Sequence, residues 1–369
     1  MTWLLIALLP YTIVFLIFRV RLQQNSQKVI DDPDSDKSDI KIISVIIPVK
    51  NEAGNIQNLL NDLAAQSLDP TYFEVIIIDD GSSDSTSDIL RSSGDFTEGI
   101  KILRSAGKGK KEAIALGIEH SQGKYIVTTD GDCRVSNKWL MDICSVIKAS
   151  DADMIIGAVD IINDGNLINR CTQLEFLALQ AITEIYAKKG KPVLCNGANL
   201  CFRNPGSAEY RLMVKKNIKS GDDIFLMESF KRQGKIITWI DSAGSMVLTG
   251  GPHSLKSFFK QRIRWTSKSP FYTDPALLAI SVLVFLTNLI ISATFVASIF
   301  YPGLWMIYIS LFIMKSVPDL FLLALMARKR NKKGLLPLFL PLQLIYPFYV
   351  SFTGMAGIIK GLSFSPRGK

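Results

Sequence analysis

The chain has 369 residues, 48% of them hydrophobic, and a formal charge of +9. With a mean hydropathy of +0.24 it is too apolar for a typical soluble protein, so membrane segments are sought first. The basic excess lies largely beside apolar runs, which fits membrane topology and anionic headgroups better than nucleic acid. Cys133, Cys144, Cys171, Cys195 and Cys201 contain no C-x-x-C pair, so neither a zinc site nor a disulfide framework follows.

A membrane span needs roughly 20 apolar residues. The run 1–18 is broken only by Pro10 and is followed by Arg19 and Arg21. Its charges follow the apolar run, whereas a signal peptide carries them first, so residues 1–21 are expected to be an uncleaved anchor. Residues 22–40 are an acidic linker with little to bury. Residues 41–273 alternate short β-branched runs with helical patterns, the mark of an α/β domain with a mainly parallel sheet. The predicted strands are 42–48, 74–79, 100–103, 125–130 and 154–159, and the predicted helices 55–65, 86–91, 110–120 and 137–149.

Residues 274–369 form a C-terminal membrane region with apolar segments at 276–298, 303–327 and 335–361. Lys315 and the Pro318-Asp319 pair interrupt the second of these. Pro337, Pro341 and Pro347 punctuate the third, for which a re-entrant course is an alternative. The basic cluster Arg328-Lys329-Arg330-Asn331-Lys332-Lys333 between them is expected in the cytosol, as is the soluble domain.

Ligands of parallel sheets collect beyond the carboxyl ends of the strands, where the polar motifs of this chain cluster. Asp79-Asp80-Gly81-Ser82 follows the second strand, and a carboxylate there can accept from ribose hydroxyls or a base edge; a solvated, helix-capping turn is the alternative. Asp130-Gly131-Asp132 follows the fourth, and two carboxylates around a glycine turn can hold a hard cation that bridges a diphosphate; a plain acidic turn is the alternative. Gly107-Lys108-Gly109-Lys110 offers lysines and amides to a phosphate but lacks P-loop spacing. In Gly221-Asp222-Asp223 one carboxylate can cap a helix and the other act as general base. Gln261-Arg262-Ile263-Arg264-Trp265 reads either as an interfacial belt or as donors to a departing diphosphate.

In this order, these stretches resemble family-2 glycosyltransferases of the GT-A fold. Ile46-Ile47-Pro48-Val49-Lys50-Asn51-Glu52 is similar to that family's opening strand and turn, and 75–83 to its second strand. Asp130-Gly131-Asp132 is similar to its D-x-D motif, and Asn196-Gly197-Ala198-Asn199-Leu200 to its acceptor stretch. Gly221-Asp222-Asp223 corresponds to its acidic pair, and Gln261–Trp265 to Q-(Q/R)-x-R-W, as in cellulose, chitin and hyaluronan synthases and ceramide glucosyltransferases.

The resemblance implies a membrane-bound, inverting, metal-dependent hexosyltransferase using a nucleotide-sugar, with UDP the expected leaving group. Mg²⁺ or Mn²⁺ would be held by Asp132 with Asp130, and Asp223 would be the base. Pro48, Glu52, Asp79, Asp80, Lys108, Asp130, Gln261, Arg262, Arg264 and Trp265 would line the donor site. Asn196, Gly197, Asn199, Asp222 and Trp265 would face the acceptor, a growing surface polysaccharide or a membrane lipid such as a diacylglycerol, ceramide or polyprenyl phosphate. The expected setting is a bacterial inner membrane, crossed several times, with room for an oligomeric or export partner and no nucleic acid. The apolar segments are fewer than processive synthases carry. A non-catalytic membrane scaffold is the reading of another class, and it predicts losses among acidic positions that are all present here.

Overall fold

The computed structural model describes residues 2–24, 42–93, 100–214, 218 and 221–362. In chain order the elements are α1 (Thr2–Gln24), β1 (Ile43–Val49), α2 (Ile56–Ala64), β2 (Phe73–Asp79), α3 (Thr86–Ser93), β3 (Ile100–Arg104), α4 (Lys110–Glu119), β4 (Tyr125–Thr128), α5 (Trp139–Ser150), β5 (Met154–Gly157) and β6 (Val159–Ile161). There follow α6 (Leu167–Ala187), β7 (Leu200–Arg203), α7 (Ser207–Met213), α8 (Asp222–Arg232), β8 (Ile237–Ile240), β9 (Val247–Thr249), α9 (Leu255–Thr266), α10 (Pro275–Phe300), α11 (Trp305–Lys329) and α12 (Phe339–Leu362). From residue 25 on, the predicted linker lies outside the described residues.

The chain forms two compact units. One, Gln27–Ile162 with Tyr186–Gly250, is built on a seven-stranded sheet of order β3-β2-β1-β4-β7-β5-β8. The run Ile-Ser-Val-Ile-Ile-Pro-Val of β1 is buried at every position, as a parallel strand covered on both faces requires. It pairs in parallel with β2 on one side and β4 on the other, so the order reverses beside β1. A crevice for ligands opens at such a switch point. The sheet is mostly parallel, as expected, but β7 runs antiparallel to both β4 and β5, and β6 leaves the main sheet to pair with β9.

A polar joint fastens the early strands. The Ser44 hydroxyl donates to Glu74 at 2.6 Å, Gln122 N–H donates to the same carboxylate at 2.6 Å, and Gly123 N–H donates to Ser44 Oγ at 2.8 Å. A Cβ at position 123 would sit 2.5 Å from the Ser44 nitrogen. Gly123→Ala is therefore expected to cost about 2 kcal/mol by overpacking. Thermal unfolding should read this as a midpoint roughly 5 °C lower.

The second unit joins Met1–Ser26 and Gly251–Lys369 with Asn163–Ile185. Residues 163–185 and 251–273, which the linear reading gives to the 41–273 domain, thus group with the apolar helices. Among the described residues, four helices are long and apolar enough to cross a membrane. Outward residues such as Ile13, Leu286, Ile299, Ile345 and Ile359 are exposed, which is the pattern of lipid-facing surfaces. The last segment is one continuous helix of 24 residues. Pro337 falls in the 3₁₀ turn Lys333–Leu338, and Pro341 in the first turn of α12, where no intrahelical donor is needed.

Within this unit α1 runs parallel to α11. Leu8 packs with Ile307 and Leu311, and the Arg19 guanidinium lies 5.2 Å from the Phe321 ring centre. Arg19 and Arg21 thereby share one end of the helices with the 328–333 cluster. Glycines let α12 approach its neighbours closely: a Cβ at Gly357 would overlap Thr266, whose hydroxyl donates to the Thr353 carbonyl at 2.9 Å.

Candidate active site

The turns after β1 and β2 are stapled together. Asn51, held at φ 58°, donates its N–H to Ser82 Oγ at 3.0 Å and accepts from Ser83 N–H at 2.8 Å, while Glu52 N–H donates to Thr86 Oγ1 at 2.8 Å. Asp79 accepts from Ser82 N–H at 2.8 Å and from the Ser87 hydroxyl. Asp80 accepts from Gly109 N–H at 3.0 Å and from the Ser105 hydroxyl. Both carboxylates, expected to contact the nucleoside, are buried and tie the β2 turn to the flanking loop and helix. Pro48 is an internal residue of β1 in register with Ile78.

Asp130-Gly131-Asp132 lies just beyond β4, on the switch-point side of the sheet. At Gly131 a Cβ would come 2.9 Å from Val49 Cγ1 and 3.0 Å from Glu52 Cγ, so any larger residue must displace those side chains. Gly131 is not among the glycines with positive φ, so close packing, rather than a left-handed backbone, favours glycine there. Asp132 accepts from the Thr249 hydroxyl at 3.3 Å. Behind it, Arg134 and Leu248 exchange backbone hydrogen bonds of 2.8 and 2.9 Å, and Arg134 forks onto Asp62 at 2.6 and 2.8 Å. The tip of β9 and the last turn of α2 thus set the orientation of the acidic turn.

Burial first, and then the Asp130 charge, raise the Asp132 pKa; burial, with Asp132 and Asp130, also raises that of Glu52, against a hydrogen bond from Asn55. Carboxylates crowded in this way gain from a cation. Among the described residues no three His, Cys, Asp or Glu side chains gather into a full metal cage. A pair of carboxylates with positions left open nonetheless fits a hard divalent ion, which takes one or two protein carboxylates and completes its shell with phosphate and water.

Lys110, the first residue of α4, is the group that sequence reasoning passed over in favour of Lys108. Its ammonium is ion-paired with Asp130. Burial opposes its charge, but Asp130, Asp222 and Asp223 more than compensate and hold its pKa above the ordinary value. Lys108 is exposed on the preceding loop. The distinguishing signal was position: a lysine on the first turn of the crossover helix is fixed by that helix, whereas one in the loop is not.

Asp223 is the second residue of α8, whose N-cap Gly221 takes φ 88°. It accepts from Gly197 N–H at 3.2 Å, and Lys110 Nζ and Asp223 Cβ each lie 3.6 Å from where a side chain at 197 would begin. Asp130, Lys110, Gly197 and Asp223 therefore form one contiguous group. Asp222 is 8% exposed, whereas Asp223 is half-buried and keeps access. Asn196 caps the 3₁₀ turn Gly197–Asn199 by accepting from Ala198 N–H at 3.0 Å. Asn199, expected at the acceptor, is a core residue: its amide donates to the Ala158 and Ser245 carbonyls at 2.8 Å each and accepts from the Trp139 indole at 3.1 Å. It has no amide hydrogen left for an acceptor.

In the other unit, Gln261, Arg262, Arg264 and Trp265 lie on α9. Arg262 is 4% exposed, paired with Glu175 of α6, and donates to Gln261 Oε1 at 2.8 Å. The Phe258 and Trp265 ring centres lie 4.7 and 4.5 Å from its guanidinium carbon. Tyr349 of α12 donates to the same Glu175. Arg262, expected to bind diphosphate, thus joins three helices, while Arg264 is exposed.

Comparison with known proteins follows the same lines. Residues 44–206 match the family described as Glycosyl transferase family 2. The chain is 36% identical over 124 residues to Glycosyltransferase AglE of Haloferax volcanii, covering 33% of this chain and 41% of that relative. It is 38% identical over 100 residues to an undecaprenyl-phosphate 4-deoxy-4-formamido-L-arabinose transferase of Aeromonas hydrophila, covering 26% and 30%. The chain thus spans less than half the length of these curated relatives. Among solved structures, the mannosyltransferase PcManGT of Pyrobaculum calidifontis, in complex with GDP-Man and Mn2+, superposes with a TM-score of 0.62 at 16% identity, over 99% of this chain and 98% of that one. The chain thus shares the fold of that mannosyltransferase, as the GT-A resemblance implies, and residues 44–206 match the Glycosyl transferase family 2 model.

Proposed function

We propose that the protein is a membrane-bound inverting glycosyltransferase that moves a sugar from a nucleotide-sugar to an acceptor held at the cytosolic face of the membrane. The observation that carries this reading is the joining of Asp130 and Asp223 through Lys110 and Gly197. It sets a cation-and-phosphate site beside a carboxylate that stays half-buried and open to an acceptor.

Asp132, with Asp130, would hold Mg²⁺ or Mn²⁺, and that ion, when bound, neutralises charge on the leaving diphosphate. Lys110 adds a fixed positive charge next to it. Asp223 takes the proton from the acceptor hydroxyl as the oxygen attacks the anomeric carbon opposite the leaving group, which inverts an α-linked donor to a β-linked product. The donor is expected to be a UDP-sugar; the mannosyltransferase with the same fold is complexed with GDP-Man, which makes GDP-mannose the second donor to test. Arg19, Arg21 and the 328–333 cluster at one end of the helices support a cytosolic placement of that end.

The acceptor is a hydroxyl of a growing glycan or of a membrane lipid. A polyprenyl phosphate is the second reading, favoured by relatives named as undecaprenyl-phosphate transferases. Membranes containing the protein, supplied with labelled UDP- and GDP-sugars, should yield labelled product with Mg²⁺ or Mn²⁺ and none after chelation. A ladder of sizes identifies glycan extension, one lipid-soluble species identifies single addition, and no transfer from any donor returns the protein to the scaffold reading.

A further inference from the structure

Charged residues inside a membrane helix are costly and need partners. Lys315 and Asp319 lie mid-way along α11, and the Lys315 side chain is 0% exposed. Its ammonium donates to Asp319 Oδ2 at 2.7 Å and lies 4.6 Å from the Tyr346 ring centre of α12. Gln343 of α12 donates to the same oxygen at 3.0 Å. The other carboxylate oxygen accepts from a different helix: the Tyr11 hydroxyl of α1 donates to Asp319 Oδ1 at 2.7 Å.

The next residue of α1 meets a second need. Pro318 has no N–H, so the Met314 carbonyl four residues earlier lacks its intrahelical donor. In hydrocarbon such a group must find another. Thr12 Oγ1 donates to it at 3.2 Å. One turn away, Leu8 fills an apolar contact with Ile291, Ile307 and Leu311.

We propose that α10, α11 and α12 form a receptor for α1, in which Asp319 Oδ1 and the Met314 carbonyl are the recognition points and Tyr11 and Thr12 the groups recognised. The N-terminal helix is then an integral part of the membrane unit, held by docking, and its attachment through residues 25–41 is dispensable once it has docked. Apolar surface alone does not select a partner in lipid, because the acyl chains are as apolar as leucine. Two adjacent polar residues that answer two adjacent polar needs supply register and specificity.

The test uses the full chain with a site-specific protease sequence placed within residues 25–41 and an affinity tag at the C-terminus. After cleavage in lipid nanodiscs and transfer to mild detergent, the α1 fragment should stay with the tagged remainder. The double variant Tyr11→Phe/Thr12→Val keeps shape and apolarity and should lower retention about tenfold. Thr12→Ser, which keeps the hydroxyl, should retain as the wild type does, and so should Ile13→Ala, on the exposed side of α1. Loss of α1 from the cleaved wild type, equal retention by the double variant, or release by Ile13→Ala would each overturn the proposal.

Discussion

Asp223→Asn is expected to lower sugar transfer to a hydroxyl acceptor by roughly 100- to 10,000-fold, the range lost with a general base. Asparagine keeps the shape of the side chain and an oxygen for the Gly197 N–H, which now donates at 3.2 Å. It cannot take a proton. Nucleotide affinity, measured by calorimetry, should therefore stay within a few-fold of the wild type while kcat falls. The same variant separates the two acceptor readings. A phosphate acceptor is already anionic and has no proton to lose, so transfer to a polyprenyl phosphate should survive the change. Unchanged transfer to every acceptor would remove Asp223 from the mechanism.

Asp132→Ala should act on a different step, with metal-dependent nucleotide binding weakened and transfer reduced roughly 100- to 1000-fold, as when a group that stabilises developing charge is removed. Asp130 carries the ion pair with Lys110, whereas the Asp132 partners among the described residues, including the Thr249 hydroxyl and the Gly250 N–H, are neutral, so Asp132 is the freer carboxylate for a cation. Titration of Mn²⁺ by electron paramagnetic resonance checks the first part directly: the variant should bind the ion in the presence of nucleotide at least tenfold more weakly. Equal Mn²⁺ affinity would mean that another group holds the ion.

The parallel half of the sheet was legible because burial on both faces forces continuous apolar runs, as in Val45-Ile46-Ile47 and Val75-Ile76-Ile77-Ile78, and these announce themselves without partners. β7 was not, since four residues, Leu200-Cys201-Phe202-Arg203, have no local sign of direction; that is set by pairing with strands far away in the chain. The acidic turn and the Asp222-Asp223 pair were visible as residue types at strand and helix ends. Their wiring was not. Asp79, Asp80, Asn199 and Arg262 looked available by composition and proved engaged by Ser87, Ser105, Trp139 and Glu175, partners that no spacing rule links to them. Lys110 differed from Lys108 only by standing on a helix.

The contact between Tyr11 and Asp319 joins residues 308 positions apart. At 5–20 residues per second a ribosome needs about 15–60 s to make that stretch, so an α1 that inserts as it is made would wait in the bilayer long before its site exists. Threonine tolerates the wait, because its hydroxyl can turn back to its own helix, where the Leu8 carbonyl lies 3.3 Å from Thr12 Oγ1, and tyrosine does so because its single neutral hydroxyl costs far less in lipid than a charge. Lys315 and Asp319 arrive later and together, one helical turn apart, already able to pair with each other. The order of the genetic message thus places the cheap partner first and the costly one last.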